Sequence, residues 1–337
     1  MGEKSAGRII VLIACVSLSA GVAANGARID EDPLPSWQSG TARDAIVTFV
    51  ERVTDPAGAD FVAPEDRLAV FDHDGTLMVE QPAAFQFAFI FDRVQTLARN
   101  RPEWASTQPF QAVIEDDLAA MRSMNFETRR TLGRVTSANM TQDEFDSLAS
   151  AFIATSRHPR FQRHYTDAVY QPMLELIKLL QANDFKVFIV SGSGIEFIRA
   201  FSETVYGIPR ENVIGSSRKL DLREQDGRLV IYRKSAIANI NGARFKPLNI
   251  QLHAGRRPIL AVGNSDGDFE MLRFTESPDK PSLVLLVQHD DPDREYAYSD
   301  DSIRVRQAAR DHGWQVVSMR EDFKRVFPPG RAPWITN

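Results

Sequence analysis

The amino-acid sequence predicts an α/β fold, a doubly wound parallel sheet with an inserted α-helical segment. Short apolar runs, each as long as one buried strand, occur at 68–71, 185–190 and 258–262, and a polar loop follows each of them. Helical patterns separate the runs, and strands that alternate with helices favour a parallel sheet with right-handed crossovers. Residues 78–164 carry helical patterns and lack β-branched runs, which predicts a helical insertion after the first strand.

The order of the predicted elements supports this class. Residues 85, 87, 89 and 91 are phenylalanines at a strand-like spacing of two, but the segment continues to residue 98 without a turn signal, which favours a helix. Thr141 and Glu144 form a capping-box pattern, and Asp226-Gly227 marks a hairpin turn within 220–232. The other predicted elements are helices over 41–53, 110–124, 125–133, 142–154, 169–182, 195–206, 268–274 and 302–312, and strands over 212–215, 282–287 and 314–317.

The first 24 residues predict an export signal. Lys4 and Arg8 precede an apolar stretch that ends near Val22-Ala23-Ala24, a small-residue cleavage pattern. We expect an exported protein of the bacterial periplasm, with no stable membrane span once residues 1–24 are removed. The alternative is a lipoprotein attached through Cys15. This residue is the single cysteine, so the mature chain is expected to have neither a thiol nucleophile nor a disulfide.

The composition argues against a general affinity for nucleic acid. The 337-residue chain has a formal net charge of -5, with 43% apolar and 25% charged residues, which are ordinary values for a globular protein. An anionic substrate therefore requires a local positive site. Segment 155–165 is basic, and it forms either an anion-attracting rim or a return linker held by salt bridges to acidic residues of the insertion.

Two aspartates follow the first predicted strand. Asp72 stands at the strand's carboxyl end, where open α/β sheets bind ligands, and Asp74 is two residues further on. Phosphoryl transfer uses such a pair, one carboxylate attacking phosphorus and the other giving and taking protons. Two carboxylates and a phosphate repel each other without a cation, and Mg²⁺ suits oxygen ligands, so Mg²⁺ is the expected cofactor. The alternative is that these residues form an ordinary turn.

Polar residues also follow two other predicted strands. Ser191 and the backbone N–H of Gly192 can bind phosphoryl oxygens. Asn264 and Asp268 can offer oxygen ligands to Mg²⁺. Each motif alone also fits ordinary chemistry for a loop or the start of a helix.

Lys246 is the candidate for a positive charge beside the nucleophile. Its sequence context, before Pro247, fits the start of a helix. A lysine directed at Asp72 would neutralise both the nucleophile and the phosphate. Lys234 is a competing candidate, but it lies farther from Asn264 in the sequence and close to the hairpin.

The ordered motifs DHDGT, VSG, a lysine and GNSDGD resemble those of the haloacid dehalogenase superfamily of phosphatases, over about residues 68–272. The resemblance implies a Rossmann-like core at 25–77 and 165–337, with a C1-type helical cap at 78–164, as in phosphoserine phosphatase-like members. The chain after residue 24 is also similar to a group of exported bacterial haloacid dehalogenase-like hydrolases.

The resemblance implies a role for each motif. Asp72 is expected to be the nucleophile and a Mg²⁺ ligand. Asp74 is expected to be the general acid and base, with its main-chain carbonyl as a further ligand. Ser191, with Gly192, corresponds to the phosphate-binding motif and Lys246 to the third-motif lysine.

The fourth motif departs from the commonest pattern. Asn264 and Asp268 correspond to its acidic pair, in which aspartate is usual at the position of Asn264. Because an amide lacks the negative charge of a carboxylate, we expect weaker Mg²⁺ binding, with Asp268 or Asp266 carrying more of the coordination. This departure keeps open the alternative of a non-catalytic protein that binds a phosphate ligand.

The predicted function is Mg²⁺-dependent hydrolysis of a small periplasmic phosphomonoester through an aspartyl phosphate. A dehalogenase is disfavoured because Asp74 is a proton donor that a halide leaving group does not need, and a phosphotransferase is the other alternative. Glu80 is expected near the position where phosphoserine phosphatases read the substrate amine. The four phenylalanines, with Trp104, form either an apolar or cation-accepting pocket or the cap's own core. Phosphorylcholine and phosphoamino acids are the candidate substrates.

Overall fold

The computed structural model describes residues 1–2, 32–277 and 279–329. The fold lies within Pro33–Asn337. Apart from its first two residues, the export signal predicted over 1–24, with Cys15 and the cleavage pattern, lies outside the described residues. In the described part of the chain, no helix has both the length and the apolar character needed to cross a membrane.

The described residues contain one eight-stranded sheet. Its strands in chain order are β1 (Leu68–Phe71), β2 (Met140–Thr141), β3 (Lys186–Gly194), β4 (Val213–Gln225), β5 (Arg228–Asn239), β6 (Leu260–Gly263), β7 (Leu283–Gln288) and β8 (Gln315–Ser318). The order across the sheet is β2-β5-β4-β3-β1-β6-β7-β8. The strands from β4 through β8 in this order pair in parallel, and β5 pairs antiparallel with both β4 and β2. β1 is therefore central in the parallel part.

Helices cover both faces of the sheet. In chain order they are α1 (Thr41–Thr54), α2 (Phe85–Ala98), α3 (Phe110–Ile114), α4 (Leu118–Ser123), α5 (Phe126–Ser137), α6 (Gln142–Thr155), α7 (Gln171–Ala182), α8 (Ile195–Arg199), α9 (Ser202–Tyr206), α10 (Phe245–Ala254), α11 (Phe269–Thr275), α12 (Ile303–His312) and α13 (Met319–Asp322). Because side chains alternate along a strand, Leu68 and Val70 pack with residues of α10, α11 and α12, whereas Ala69 and Phe71 pack with residues of α1 and α7. This is the predicted doubly wound α/β arrangement, which is confirmed.

The phenylalanine-rich segment forms α2, as predicted. Phe85 and Phe89, one turn apart, are buried in the apolar core, whereas Phe87 and Phe91 are half-buried with ring centroids 6.1 Å apart. The capping box at the start of α6 is also confirmed, since Thr141 Oγ1 accepts a hydrogen bond from the backbone N–H of Glu144 at 3.1 Å. Helical spacing thus separates phenylalanines that a strand would have placed on one face.

Two predicted helices are each divided in two. The pattern over 110–124 forms α3 and α4, because Asp116 takes a positive φ of 52° and the Asp117 carboxylate caps α4. The pattern over 195–206 forms α8 and α9, with the non-helical Phe201 between them. The apolar spacing continues through both breaks, so it could not locate them.

β4 is much longer than the predicted strand at 212–215. Past Ser216 it leaves the parallel part of the sheet and pairs with β5 as far as Asp226-Gly227. The φ angles of these two residues, 51° and 72°, are those of the predicted two-residue hairpin turn. Because β5 also pairs with β2, which precedes α6, the β4–β5 hairpin connects the central sheet with the helical segment that follows β1.

The basic segment 155–165 is fastened by main-chain carbonyl groups. The Arg160 guanidinium donates hydrogen bonds to the carbonyl oxygens of Pro292, at 2.6 Å, and Glu295. Arg163 donates to the carbonyl oxygen of Pro328 at 3.3 Å. These contacts tie the segment to the C-terminal part of the chain, whereas the predicted linker would have salt bridges to acidic residues of the insertion.

Candidate active site

The carboxyl ends of β1, β3 and β6 lie side by side. β1 is in parallel register with β3 on one side and with β6 on the other up to Phe71. Asp72 and Asn264 directly follow the last paired residues of β1 and β6. Ser191 lies two residues past Ile189, the last β3 residue that pairs with β1, so the structure brings all three to one edge of the sheet. All three are buried.

Lys246 connects two carboxylates at this edge. It lies in the first turn of α10, is 3% exposed, and its Nζ lies 2.5 Å from Asp72 Oδ1 and 2.6 Å from Asp268 Oδ1. Burial and the charge of Asp268 raise the pKa of Asp72 to about 7, against the lowering effect of Lys246. Burial acts to lower the pKa of Lys246, but the two carboxylates outweigh it and raise this pKa. Lys234, the competing lysine, is instead paired with Asp221 on the hairpin, at 3.4 Å.

Asp268 has partners for both carboxylate oxygens. Oδ1 accepts a hydrogen bond from Lys246 Nζ. Oδ2 accepts hydrogen bonds from the backbone N–H groups of Asn264 and Ser265 at 3.0 and 3.1 Å. A Cβ at Gly263 would lie 2.7 Å from the Asp268 side chain, so this close approach requires glycine. Asp268 therefore holds the loop after β6 and positions the lysine.

Asp74 is fixed by two side chains that the sequence interpretation missed. Its Oδ2 accepts a hydrogen bond from Ser193 Oγ at 2.7 Å, and Oδ1 lies 3.1 Å from His73 Nδ1. The other ring nitrogen of His73 lies 3.1 Å from the hydroxyl of Tyr206. Burial acts to raise the pKa of Asp74, but His73 and Ser193 outweigh it and hold this pKa below its usual value. Asp74 thus has a defined orientation beside Asp72.

The loop at the end of β3 places a hydroxyl at the site. Ser191 is 1% exposed, and its Oγ accepts the backbone N–H of Ser193 at 3.1 Å. Its hydroxyl hydrogen has no acceptor within the described part of the chain, so it can be donated to an anion. Asn241 supports the loop by donating to the Ser191 carbonyl oxygen at 2.9 Å. The pairing of β3 with β4 is irregular between Val190 and Gly194, which frees the loop, including Gly192, from the regular ladder.

Glu80 packs against Asn264. Its Oε1 accepts hydrogen bonds from Asn264 Nδ2 at 2.9 Å and from the Tyr298 hydroxyl at 2.7 Å. Burial, with the charges of Asp301, Asp74 and Asp72, raises the pKa of Glu80 to about 8. Gly75, at a φ of 77°, makes room for this pair, because a Cβ there would lie 2.1 Å from Asn264 Nδ2.

Asp266 is directed elsewhere. Its Oδ1 accepts the backbone N–H of Val305 at 2.9 Å, in the first turn of α12. Asp266 contacts α12 and Asp268 contacts Lys246. Asn264 is therefore the candidate cation ligand among the side chains of the GNSDGD loop. Its Oδ1 accepts Thr76 Oγ1 at 3.1 Å.

The donor chemistry of this edge fits Mg²⁺. Among the described residues, no group of three or more His, Cys, Asp or Glu side chains is arranged to hold a metal ion. A site here would combine carboxylate with amide and main-chain oxygens, which are hard ligands that suit Mg²⁺. The raised pKa values of Asp72 and Glu80 follow from burial and neighbouring carboxylates, and a cation relieves that repulsion. The residues present therefore fit the ion that the sequence predicts.

A buried histidine from the C-terminal third holds the loop after β1. His289 follows β7, and its Nε2 lies 2.8 Å from the Gly75 carbonyl oxygen while Nδ1 lies 3.1 Å from Glu295 Oε2. Its ring stacks on Tyr298 with centroids 4.2 Å apart. Its position after a predicted strand, like those of Asp72, Ser191 and Asn264, is a signal that the sequence interpretation did not use.

A comparison with one solved structure supports this fold. A conserved functionally unknown protein from Anaerococcus prevotii DSM 20548 has a TM-score of 0.51 and 16% identity, covering 82% of this chain and 91% of that one. The chain is also similar to a protein with unknown function from Bordetella pertussis Tohama I, with a TM-score of 0.47 and 17% identity, covering 74% of this chain and 97% of that one. A phosphoserine phosphohydrolase-like protein from Francisella tularensis subsp. tularensis SCHU S4 has a TM-score of 0.40 and 14% identity, covering 74% of this chain and 94% of that one. No curated protein matches the chain.

A family comparison covers the strand ends that form the site. The sequence pattern of the haloacid dehalogenase-like hydrolases matches residues 69–273. This range extends from β1 to α11 and includes Asp72, Ser191, Lys246 and Asp268. The matched range exceeds half of the 337 residues, and the observed sheet is the α/β sheet of that family. The chain belongs to the haloacid dehalogenase-like hydrolase family.

Proposed function

We propose that this protein is a Mg²⁺-dependent phosphomonoester hydrolase that forms an aspartyl phosphate on Asp72. The main support for the proposal is the contact of Lys246 Nζ with Asp72 Oδ1 at 2.5 Å. This contact places a positive charge directly beside a buried carboxylate at the end of a strand. Asp74, oriented beside it, favours a phosphate ester over a halide because an ester oxygen must be protonated as it leaves.

The proposed reaction has two halves. A carboxylate oxygen of Asp72 attacks phosphorus, the bond from phosphorus to the ester oxygen breaks, and Asp74 gives its proton to that oxygen. Asp74 then takes a proton from a water molecule whose oxygen attacks phosphorus, and the bond to Asp72 breaks to release inorganic phosphate. The negative phosphoryl group acts to raise the pKa of Asp74, which favours the protonated form that the first half requires.

The remaining residues bind and orient. The Ser191 hydroxyl and the Gly192 backbone are assigned to the phosphoryl oxygens, and Asp268 is assigned to positioning Lys246. Asp72, the main-chain carbonyl of Asp74 and the amide oxygen of Asn264 would hold Mg²⁺. When bound, the ion offsets the negative charge of the phosphoryl group and of the nucleophile.

Glu80 is assigned to the environment of Asn264. The role expected from the sequence was binding of a substrate amine. The contacts of Glu80 with Asn264 Nδ2 and the Tyr298 hydroxyl favour the role beside Asn264 instead.

Release of phosphate from p-nitrophenyl phosphate tests the proposal. We expect turnover that requires Mg²⁺, loss of turnover in Asp72→Asn, and a phosphorylated Asp72 in acid-quenched protein by mass spectrometry. Asp66→Asn, a change at an exposed aspartate just before β1, is the matched control and should retain activity. Binding of Mg²⁺ and phosphate without turnover of any monoester would instead support the non-catalytic alternative, and transfer of the phosphoryl group to an added alcohol in preference to water would support a phosphotransferase.

We also propose that residues 78–164 form a C1-type cap on a core of residues 25–77 and 165–337, and that the protein is exported to the bacterial periplasm without residues 1–24. The helices α2 to α6 that follow β1 support the cap assignment.

Intact-mass analysis of protein from a periplasmic fraction tests the export proposal. A chain that begins at Asn25 is expected, and a lipidated chain that begins at Cys15 would contradict cleavage at that point.

A further inference from the structure

A cavity of about 580 Å³ opens beside residues 191–194, the segment that contains the proposed phosphate-binding residues Ser191 and Gly192. It lies between α2, α5 and the β4–β5 hairpin, and both Gly192 and Gly194 line it. Gln86 also lines it and accepts the backbone N–H of Gly194 through Oε1 at 2.6 Å. Ser193, between these glycines, is the residue that binds Asp74. The cavity is therefore continuous with the loop where the leaving group of a phosphomonoester would depart.

The charged residues of this cavity are mostly cationic. Four arginines and one glutamate line it: Arg129, Arg130, Arg218, Arg233 and Glu196. Glu196 is paired with Arg233 at 3.4 Å, and Arg130 is paired with Glu127 on the surface at 2.6 Å. In the described part of the chain, Arg218 and Arg129 form no ion pair with a carboxylate. The cavity thus carries positive charge that the protein itself does not balance.

Of the two arginines that form no ion pair among the described residues, Arg218 is the more constrained, with two hydrogen bonds to the protein against one for Arg129. Its Nε donates to Ser137 Oγ at 3.3 Å and its Nη1 to the Ser235 carbonyl oxygen at 3.0 Å. These contacts fix the guanidinium plane and leave Nη2 without an acceptor among the described residues. Burial, with the positive charge of Arg233, lowers the pKa of Arg218 to about 10, so the group stays charged at neutral pH and an anion beside it would be favourable.

The rest of the cavity wall is largely apolar. Phe87 lines it, and Arg129 lies over the Phe87 ring at 5.1 Å. Phe85 and Phe89 belong to the buried core, and Trp104 stacks on Phe110 with centroids 4.0 Å apart. The other apolar side chains that line the cavity are Ile90, Met124, Ile237 and Ile240.

We propose that this cavity binds the leaving group of the substrate, and that this group has an apolar body ending in an anionic group that Arg218 binds. The inference rests on the proposed phosphatase function and names its substrate class. A carboxylate and a second phosphate share the required chemistry, since both accept charge-assisted hydrogen bonds from a guanidinium N–H group. A cationic leaving group such as choline would meet uncompensated arginines, so this class is disfavoured here.

Four aryl phosphates of similar size test the inference. They are phenyl phosphate, 4-carboxyphenyl phosphate, 1,4-phenylene bisphosphate and 4-(aminomethyl)phenyl phosphate. We expect kcat/KM at least about 10-fold higher for one or both anionic esters than for phenyl phosphate, with the cationic ester lowest, because a charge-assisted hydrogen bond supplies a preference of this order. The carboxylate and bisphosphate esters distinguish the two sources of the anion.

The arginine variants locate the preference. In Arg218→Gln the ratio of kcat/KM between the preferred anionic ester and phenyl phosphate should fall to within about 2-fold of unity. Arg228→Gln, a change at the exposed start of β5, is the matched control and should keep the wild-type ratio. If Arg218→Gln fails to fold, as judged by its unfolding temperature, Arg129→Gln on α5 tests the same charge and should reduce the ratio.

The outcomes separate the two proposals. Hydrolysis of all four esters without an anionic preference, or with a cationic one, overturns this inference and leaves the phosphatase function intact. An anionic preference that persists unchanged in both Arg218→Gln and Arg129→Gln overturns the assignment to this cavity. Absence of hydrolysis of all four esters in the presence of Mg²⁺ overturns the proposed function and this inference with it.

Discussion

The ammonium nitrogen of Lys246 lies 2.5 Å from Oδ1 of Asp72, although 174 residues separate the two in the sequence. The same nitrogen lies 2.6 Å from Asp268, so one lysine contacts two buried carboxylates. An isolated buried charge is costly, and each member of this cluster therefore depends on the others. The arrangement links the stability of the fold to the chemistry proposed for it.

Replacement of this lysine should affect both properties. Lys246→Met leaves Asp72 and Asp268 close together without a counter-charge, so we expect kcat/KM for p-nitrophenyl phosphate to fall by about 10²–10³. The free energy of unfolding should fall by about 3–5 kcal/mol at neutral pH, measured by chemical denaturation. Lys234→Met, at the lysine that pairs with Asp221 on the hairpin, is the matched control. Equal effects of the two changes would contradict the role of Lys246.

The orientation of Asp74 predicts a dependence on the leaving group. Asp74→Asn removes the proton donor, so hydrolysis of an alkyl phosphate should fall by about 10² or more relative to hydrolysis of p-nitrophenyl phosphate, whose leaving group needs less protonation. Ser193→Ala keeps the carboxyl group but removes its 2.7 Å hydrogen bond, and a smaller loss in the same direction is expected. Steady-state kinetics with both esters measure the ratio. An equal loss on the two esters in Asp74→Asn would exclude it as the acid.

The contact between Asn264 and Glu80 predicts how the metal-side loop responds to charge. Above pH 8, where Glu80 with its pKa of about 8 is ionised, Asn264→Asp places a second negative charge beside the Glu80 oxygen that Asn264 Nδ2 contacts at 2.9 Å, so the unfolding temperature without metal should fall. Added Mg²⁺ should raise it by more than in the wild type, because the extra charge favours cation binding. Thermal unfolding with EDTA and with increasing Mg²⁺ measures both effects.

The double variant Glu80→Gln/Asn264→Asp is the control for this prediction. It exchanges the donor and the acceptor of the contact, since the glutamine amide can donate to the new carboxylate. We expect it to recover most of the unfolding temperature that Asn264→Asp loses without metal. If Asn264→Asp alone unfolds at the wild-type temperature in EDTA, the predicted repulsion is absent.

The ring of His158 predicts a stability change with pH. Its Nδ1 faces the backbone N–H groups of Arg160 and Phe161, and its Nε2 lies 2.7 Å from the Gln81 carbonyl oxygen. The ring is therefore neutral with its hydrogen on Nε2, and burial lowers the pKa of His158 below its usual 6.5. The stability that this neutral ring provides is complete above pH 6.5 and is lost as the pH falls below that value towards the lowered pKa.

Thermal unfolding between pH 7.5 and pH 5 checks this prediction, at values chosen to bracket the ordinary histidine pKa. His158→Gln cannot titrate, so its unfolding temperature should fall less than that of the wild type over this range. His253→Gln, a change at an exposed histidine of α10, should follow the wild-type curve. Parallel curves for His158→Gln and the wild type would show that His158 does not contribute to this loss.

Most of the fold was predictable because burial imposes patterns on the sequence. β1 is apolar at all four positions since helices cover both of its faces. The limits of α2 match the prediction because no turn residue interrupts the segment. The length of β4 was not predictable in the same way, since beyond Ser216 its partner is β5 and its exposed residues mix apolar with charged side chains. The break at Asp116 was hidden because apolar spacing continues through it.

The candidate site was predictable where it follows strand ends. Asp72, Ser191 and Asn264 each stand within two residues of the end of an apolar run, and the parallel sheet brings the ends of those runs together. The supporting contacts were not predictable, because they join residues that are far apart in sequence. The contact from Glu80 to Tyr298 spans 218 residues, and no local pattern marks either partner.

The β4–β5 hairpin has a consequence for the construction of chimeric enzymes. Arg218 and Arg233 reach the cavity from this hairpin, whereas Phe87 and Arg129 reach it from the helices that follow β1. Transplanting residues 78–164 alone into another family member would carry one wall of the cavity and leave the other behind. The hairpin has to be transplanted with the helices, because Arg233 Nε also donates a hydrogen bond to the carbonyl oxygen of Ser137 at the end of α5.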